Sequence, residues 1–178
     1  LNGPPILGEI PIPHPLIPSE FKKTAENAYI IDTRTPAAFG AAHIKGSYSL
    51  TPKRLLNVGW VADYNKPILL VVEDLHALDF AADNLFRLGL DKIAGYLEGG
   101  IEAWYKQGLP IAKNGLLSVH ELKTMIDANQ EITILDVRRE KEWNDGHIKG
   151  AMRIYLGHLP KQTDEIPCLL YTSPSPRD

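Results

Sequence analysis

The chain writes one fifteen-residue pattern twice. Residues 32–46 read DTRTPAAFGAAHIKG, and residues 136–150 read DVRREKEWNDGHIKG. The two stretches lie 104 residues apart and align without a gap. Six of the fifteen positions are identical (Asp, Arg, His, Ile, Lys and Gly), and Phe39 matches Trp143 in type. A period of this length is too long for a solenoid repeat. It implies two copies of one folding unit in tandem.

The pattern around each copy sets the kind of unit. AYIID and ITILD are short apolar runs ending in Asp32 and Asp136, read as buried strands. PAAFGAAH predicts one or two helical turns opened by Pro36. GSYSL predicts a second strand, and TPKRLLNVGWVADY has a helical pattern. Pro67–Val72 (PILLVV) is apolar on both alternating faces, as expected of a central parallel strand covered on both sides. In ALDFAADNLFRLGL, Leu78, Ala81, Ala82, Leu85 and Leu88 recur at helical spacing. KIAGYL predicts a strand. GIEAWYKQ predicts a helix stopped by Gly108, with Trp104 and Tyr105 expected in the core. Strands alternating with helices predict an α/β fold with a doubly wound parallel sheet.

Domain limits follow from composition shifts. Six prolines between Pro4 and Pro18 make residues 1–18 a Pro-rich linker, since neither a helix nor a central strand runs through them. Residues 19–112 form a whole unit, beginning with a short helix for which Ser19 is the expected cap. Residues 113–117 are a second linker. SVHE (Ser118–Glu121) is a capping box that opens the second unit, with Leu122, Met125 and Ile126 as the apolar stripe behind it.

Within the repeat, the residue types suit strand-to-turn architecture. Asp32 and Asp136 are placed to accept N–H bonds from the following turn. Arg34 and Arg138 follow two residues on, and Arg138 lies four from Glu142, a spacing at which the two can pair. Gly46 and Gly150, after His43 and His147, supply positive φ before the next strand. No second His and no Cys stands at metal-ligand spacing, so no metal is expected. The competing functional reading keeps Asp32 and Arg34 as ligand contacts, because parallel sheets bind ligands at the carboxyl ends of their strands.

The charge balance narrows the partners. The net charge is −3, with 44% apolar and 23% charged residues, and no dense basic cluster points to nucleic acid. No apolar run approaches the ~20 residues of a membrane span. One cysteine, Cys168, excludes an internal disulfide framework and suits a reducing compartment, and with no basic-then-apolar signal stretch at the start a cytoplasmic location is expected.

Taken in order, DTR…F…HIKG, GYLEGGIEAWYKQGLP and DVR…EW…GHIKGA resemble the rhodanese homology domain, whole over residues 19–112 and as a first half over residues 118–167. The opening LNGPPILGEIPIPHPL also resembles the connector of fusions that join a metallo-β-lactamase-fold hydrolase to two rhodanese domains. The resemblance implies an N-terminal metallo-hydrolase domain as partner in a parent chain, and no cofactor in this fragment. It also implies a cysteine after the central strand, in a C-x-x-G-x-R loop, whose thiolate carries sulfur as a persulfide.

The matching stretch here, Val72, Glu73, Asp74, Leu75, His76 and Ala77, contains no cysteine, glycine or arginine. Two carboxylates stand at a helix start and repel anionic sulfur donors. The expected catalytic set is therefore empty and the first unit silent. His76 reads as a solvated surface residue. Cys168 is rejected as a nucleophile, because no long apolar strand precedes it and Pro174 and Pro176 prevent the helix that stabilises a thiolate. Residues 168–178, CLLYTSPSPRD, resemble the translation of a transposon-tagging sequencing adaptor and are expected to be an artefact.

Three functions remain open from the residues. The first is a fragment of a sulfurtransferase or persulfide-processing protein. The second is a non-catalytic binding or scaffold module, with Trp60, Trp104 and Tyr105 as contacts. The third is a phosphatase of the same architecture, which the missing thiol disfavours equally. Residues 118–167 are expected to fold poorly alone, because so small a piece buries too little apolar surface to offset its chain entropy.

Overall fold

The computed structural model describes residues 12–167. Two compact units divide at Leu116 and Leu117. The first is built on five parallel strands in the order β1-β5-β4-β2-β3. These are β1 (Pro15–Leu16), β2 (Tyr29–Asp32), β3 (Tyr48–Ser49), β4 (Ile68–Val71) and β5 (Ile93–Leu97). The connections are α1 (Pro18–Ala25), α2 (Pro36–Ala41), a 3₁₀ segment (Pro52–Trp60) and α3 (Leu75–Arg87), with α4 (Gly100–Lys106) after β5. The sheet is doubly wound, as the alternation of strand and helix patterns requires.

Strand β4 shows why this order is stable. All four of its residues are buried, and successive side chains enter opposite layers. Ile68 and Leu70 pack with Ile31, Leu55, Val58, Leu78 and Leu85 on one face. Leu69 and Val71 pack with Ile30, Phe21 and Trp104 on the other. Each such fully buried aliphatic side chain contributes about 1.5–3 kcal/mol. Phe21 meets Trp104 edge to face, with ring centroids 6.1 Å apart, and the Trp104 indole donates to the Pro110 carbonyl at 2.9 Å.

Several expectations change in detail. The Pro-rich opening is not linker to its end, because β1 adds to the sheet edge beside β5. There Tyr96 donates to the His14 carbonyl and Glu98 to that of Leu16. Pro15 is tolerated because an edge strand leaves one side of its backbone unpaired. Gly95 makes room for this strand. It sits at φ 148°, and a Cβ there would lie 2.7 Å from the His14 carbonyl oxygen.

The cap of α1 is Ile17 rather than Ser19, since Pro18 has its φ preset for the first helical position. Residues 52–60 wind as 3₁₀ rather than α-helix. Its threefold period lines up Leu55 and Val58, which are both buried. Tyr105 points outward, 65% exposed, while Trp104 is buried. The side chain of Trp60 lies outside the described residues, as do residues 168–178. The second linker also starts late, because Asn114 donates to the Gly40 carbonyl and ties the chain back to α2.

The second unit holds α5 (Val119–Asp127), β6 (Leu135–Asp136), α6 (Glu140–Asp145) and β7 (Met152–Arg153). Strands β6 and β7 pair in parallel. The Ser118–Glu121 capping box is present in both directions. Among the described residues of this unit, Ile154 is the one buried apolar side chain. Leu122 and Met125 are half-buried and Ile126 is exposed.

This contrast predicts the order of proteolysis. Limited digestion followed by mass mapping is expected to cut beyond Asn114 first and to leave a resistant first unit. Equal protection of the two units would contradict it.

Candidate functional site

In a parallel sheet the carboxyl ends of the central strands are where backbone amides and side chains converge on ligands. In the first unit those ends are Asp32, Ser49 and Val71. Asp32 is fully buried. Its carboxylate accepts from Arg34 Nε and Nη2 in a two-pronged pair, the shortest contact being 2.7 Å, and from the Arg34 backbone N–H at 3.1 Å. The same guanidinium donates to the Ala42 carbonyl at 2.7 Å. Thr33 donates its N–H to the Val71 carbonyl, and the Leu50 N–H donates to the Asp32 carbonyl. One arginine therefore ties the ends of β2 and α2 together, and the Asp32 oxygens are turned inward onto it.

The second copy repeats the Asp–Arg clamp. Asp136 accepts from Arg138 Nε and Nη2, and Arg138 Nη2 donates to the Gly146 carbonyl. Arg138 thus pairs with Asp136 and not with Glu142, whose carboxylate instead accepts from the Arg139 N–H at 3.3 Å. The reason is local. The tight turn begun by the aspartate brings a side chain two residues on back against it, and no such return reaches Glu142. The strand registers agree as well: Asp32 lies opposite Ser49, and Asp136 opposite Arg153.

The histidines also have structural partners. His43 Nδ1 lies 2.9 Å from the Phe39 carbonyl oxygen, and its ring stacks on Phe39 with centroids 4.0 Å apart. His147 does the same with Trp143, at 3.1 Å and 3.7 Å. The sequence signal was present, an aromatic four residues before each histidine, although its meaning as a stack was not read from it. Gly46 and Gly150 take φ of 86° and 84°.

The loop after β4 is where the resemblance of the sequence to the rhodanese homology domain leads one to expect a cysteine. Val72 is buried, whereas Glu73, Asp74, Leu75 and His76 are exposed and Ala77 is half-buried. Asp74 caps α3, its Oδ1 accepting from the Ala77 N–H at 2.7 Å. One of the helix's free amides is therefore already occupied by a carboxylate of the chain. The loop offers no sulfur and no cation. No group of three or more His, Cys, Asp or Glu among the described residues is placed to hold a metal. None of the helices described is long and apolar enough to cross a membrane.

Burial separates the two clamps energetically. Arg34 and Asp32 side chains are 11% and 0% exposed, Arg138 and Asp136 44% and 10%. Hydrogen bonds from Arg138 hold the Asp136 carboxyl down at about 2 from 3.8, and Asp136 in turn raises the Arg138 guanidinium.

Two predictions follow from this difference. Arg34→Ala leaves a buried carboxylate unpaired, and denaturant unfolding is expected to show a loss of about 3–5 kcal/mol, with a much smaller effect for Arg138→Ala. A depressed carboxyl stabilises the fold above its unfolded value and loses that contribution as pH falls through its folded value. The second unit is therefore expected to loosen between about pH 4 and pH 2, followed by the near-ultraviolet signal of Trp143. Arg138→Ala removes the cause of the depression, so this pH-dependent loss is expected to disappear.

Comparison with known proteins agrees with this geometry. The family model described as the rhodanese-like domain matches residues 18–107 and 118–172. Thiosulfate sulfurtransferase GlpE of Vibrio cholerae is 30% identical over 86 residues, 48% of this chain and 80% of that protein. A thiosulfate sulfurtransferase structure from Pseudomonas aeruginosa shares the fold at 20% identity and TM-score 0.50. The match covers 86% of this chain but only 36% of that one. Wild-type EanB shares the fold at 17% identity and TM-score 0.53, over 83% of this chain and 41% of its own.

Proposed function

The chain belongs to the rhodanese-like domain family, matched twice along its length, and from that premise we propose that its first unit is a catalytically silent copy within a protein of sulfur metabolism. The observation that carries this is the loop after β4. Transfer of sulfane sulfur through an enzyme-bound persulfide needs a thiolate to attack the donor and release its leaving group. It also needs N–H groups or cations to stabilise that anion. Here Glu73 and Asp74 stand where the thiol and its anion cradle would be, and Asp74 already occupies an α3 amide. A second anion brought to this loop meets like charge rather than a nucleophile.

The name of the relative GlpE supports sulfur transfer as the parent's chemistry, as a sulfurtransferase or a persulfide-processing protein. The Pro-rich opening supports a parent in which a metallo-β-lactamase-fold hydrolase precedes the two units. A docking role for the silent unit is the second reading. It is favoured by Leu75 at 63% exposure on the rim of the loop, a large apolar side chain where an active copy would engage substrate.

The test is a thiosulfate:cyanide assay on the whole chain and on its Cys168→Ser variant, with intact-mass analysis after exposure to thiosulfate. Turnover is expected at the protein-free background, with no sulfur adduct in the peptide containing residues 68–87. Turnover surviving in Cys168→Ser, or a sulfur adduct in that peptide, would overturn the proposal.

A further inference from the structure

The second unit differs from the first in the side chains at its carboxyl edge. Beyond the carboxyl ends of β6 and β7 lies an open cavity of about 610 Å³, walled by Arg139, Glu140, Arg153, Tyr155, His158 and Gln162 among others. We propose that this cavity is an anion-binding site, in which Arg139, Arg153 and His158 receive the tetrahedral oxyanion head, phosphate or sulfonate, of a small organic metabolite.

Three observations converge on it. First, the two arginines of the wall are free of ion pairs among the described residues. Arg138 next door is consumed by Asp136, whereas neither Arg139 nor Arg153 forms an ion pair among the described residues. Both guanidinium groups line this cavity, and each presents forked N–H donors that suit the oxygens of an oxyanion.

Second, the two copies share one register, so their positions compare directly. Asp32 faces Ser49 as Asp136 faces Arg153. Where the second unit has Arg139, Arg153 and His158, the first has Thr35, Ser49 and Arg54. Two hydroxyls in one copy are thus two guanidinium groups in the other, on a shared scaffold. The change is local, because Asp, Arg, His and the final Gly of the pattern are kept.

Third, the place and size fit a ligand. The cavity lies at the carboxyl edge of parallel strands, where this class of sheet binds small molecules. Its volume falls within the roughly 300–1,000 Å³ of small-molecule sites, more than a bare oxyanion fills. Glu140, the one carboxylate on the wall, cancels part of the field but is outnumbered by the two guanidinium forks. The site is independent of the loop after β4 and requires no thiol.

The test titrates the whole chain at low ionic strength with inorganic phosphate and with phenyl phosphate, by calorimetry and phosphorus NMR. Saturable binding at one site is expected, weakened at least about tenfold in Arg153→Gln and in Arg139→Gln, as for loss of a charged hydrogen-bonding partner. Arg54→Gln, the counterpart in the first unit, is expected to bind like the parent. Arg153→Lys, which keeps charge and loses the fork, is expected to fall between. Tighter binding of phenyl phosphate identifies an organic ligand, and equal affinity for the two probes overturns that part of the assignment. Absence of saturation, or equal weakening in Arg54→Gln, would overturn the site, with circular dichroism confirming that each variant is folded.

Discussion

The first unit depends on one buried ion pair. Asp32 is removed from water at the end of β2, and a lone carboxylate there would cost several kcal/mol. Arg34 meets that cost from two residues away, with two N–H donors matched to the two carboxylate oxygens. Its third contact, to the Ala42 carbonyl, extends the pair to the end of α2. The chain leaving β2 is thereby fixed in direction, which places β3 beside it, and the Leu50 N–H closes the link by donating to Asp32 itself. The pair acts as a joint rather than a reservoir of stability. Intact, it offsets its own desolvation, while broken it leaves a buried charge.

That role explains which parts of the repeated pattern are kept. Asp, Arg, His and Gly are the residues of the joint: the two ions, the ring stacked on the preceding aromatic, and the glycine with positive φ before the next strand. Among the intervening positions Thr35, Pro36, Ala37 and Ala41 are exposed and differ between copies, and the buried Thr33 and Gly40 differ as well. Ala38 stands where Glu142 stands, and Thr35 where Arg139 does. The second copy keeps the joint although its arginine is 44% exposed. Its geometry is therefore set by the local turn and not by the depth of the core around it.

Much of the fold was legible in the sequence because its signals were local and redundant. β4 is apolar at every position, and a strand so composed has only the centre of a two-sided sheet to occupy. Asp74 at the start of a helical pattern reads as its cap, and Ser118 with Glu121 as a capping box. The errors came where a distant partner decided the outcome. Pro15 reads as linker until Gly95, eighty residues on, opens an edge for it. Tyr105 shares a helix with Trp104, and only the position of the sheet tells which of them turns inward. Helical spacing allows Arg138 to pair with Glu142, but the tight turn returns it to Asp136 instead. The His–aromatic stacks were missed because no pattern rule joins those residue types.

The same logic separates scaffold from chemistry at the carboxyl edge. The joint holds the strand ends in place whatever side chains the following loops carry, so those loops are free to change without loss of fold. In the first unit the loop after β4 carries two carboxylates, Glu73 and Asp74, the second of which caps the helix it opens. In the second unit Arg139, after β6, and Arg153, at the end of β7, have no ion-pair partner among the described residues. Because strand register and clamp agree between the copies, the opposite electrostatics cannot come from backbone geometry. They come from a handful of exposed side chains, the class of residue that a buried joint leaves unconstrained. One architecture thus carries differently charged edges in the same chain, and function must be read from the edge, copy by copy, rather than from the fold the copies share.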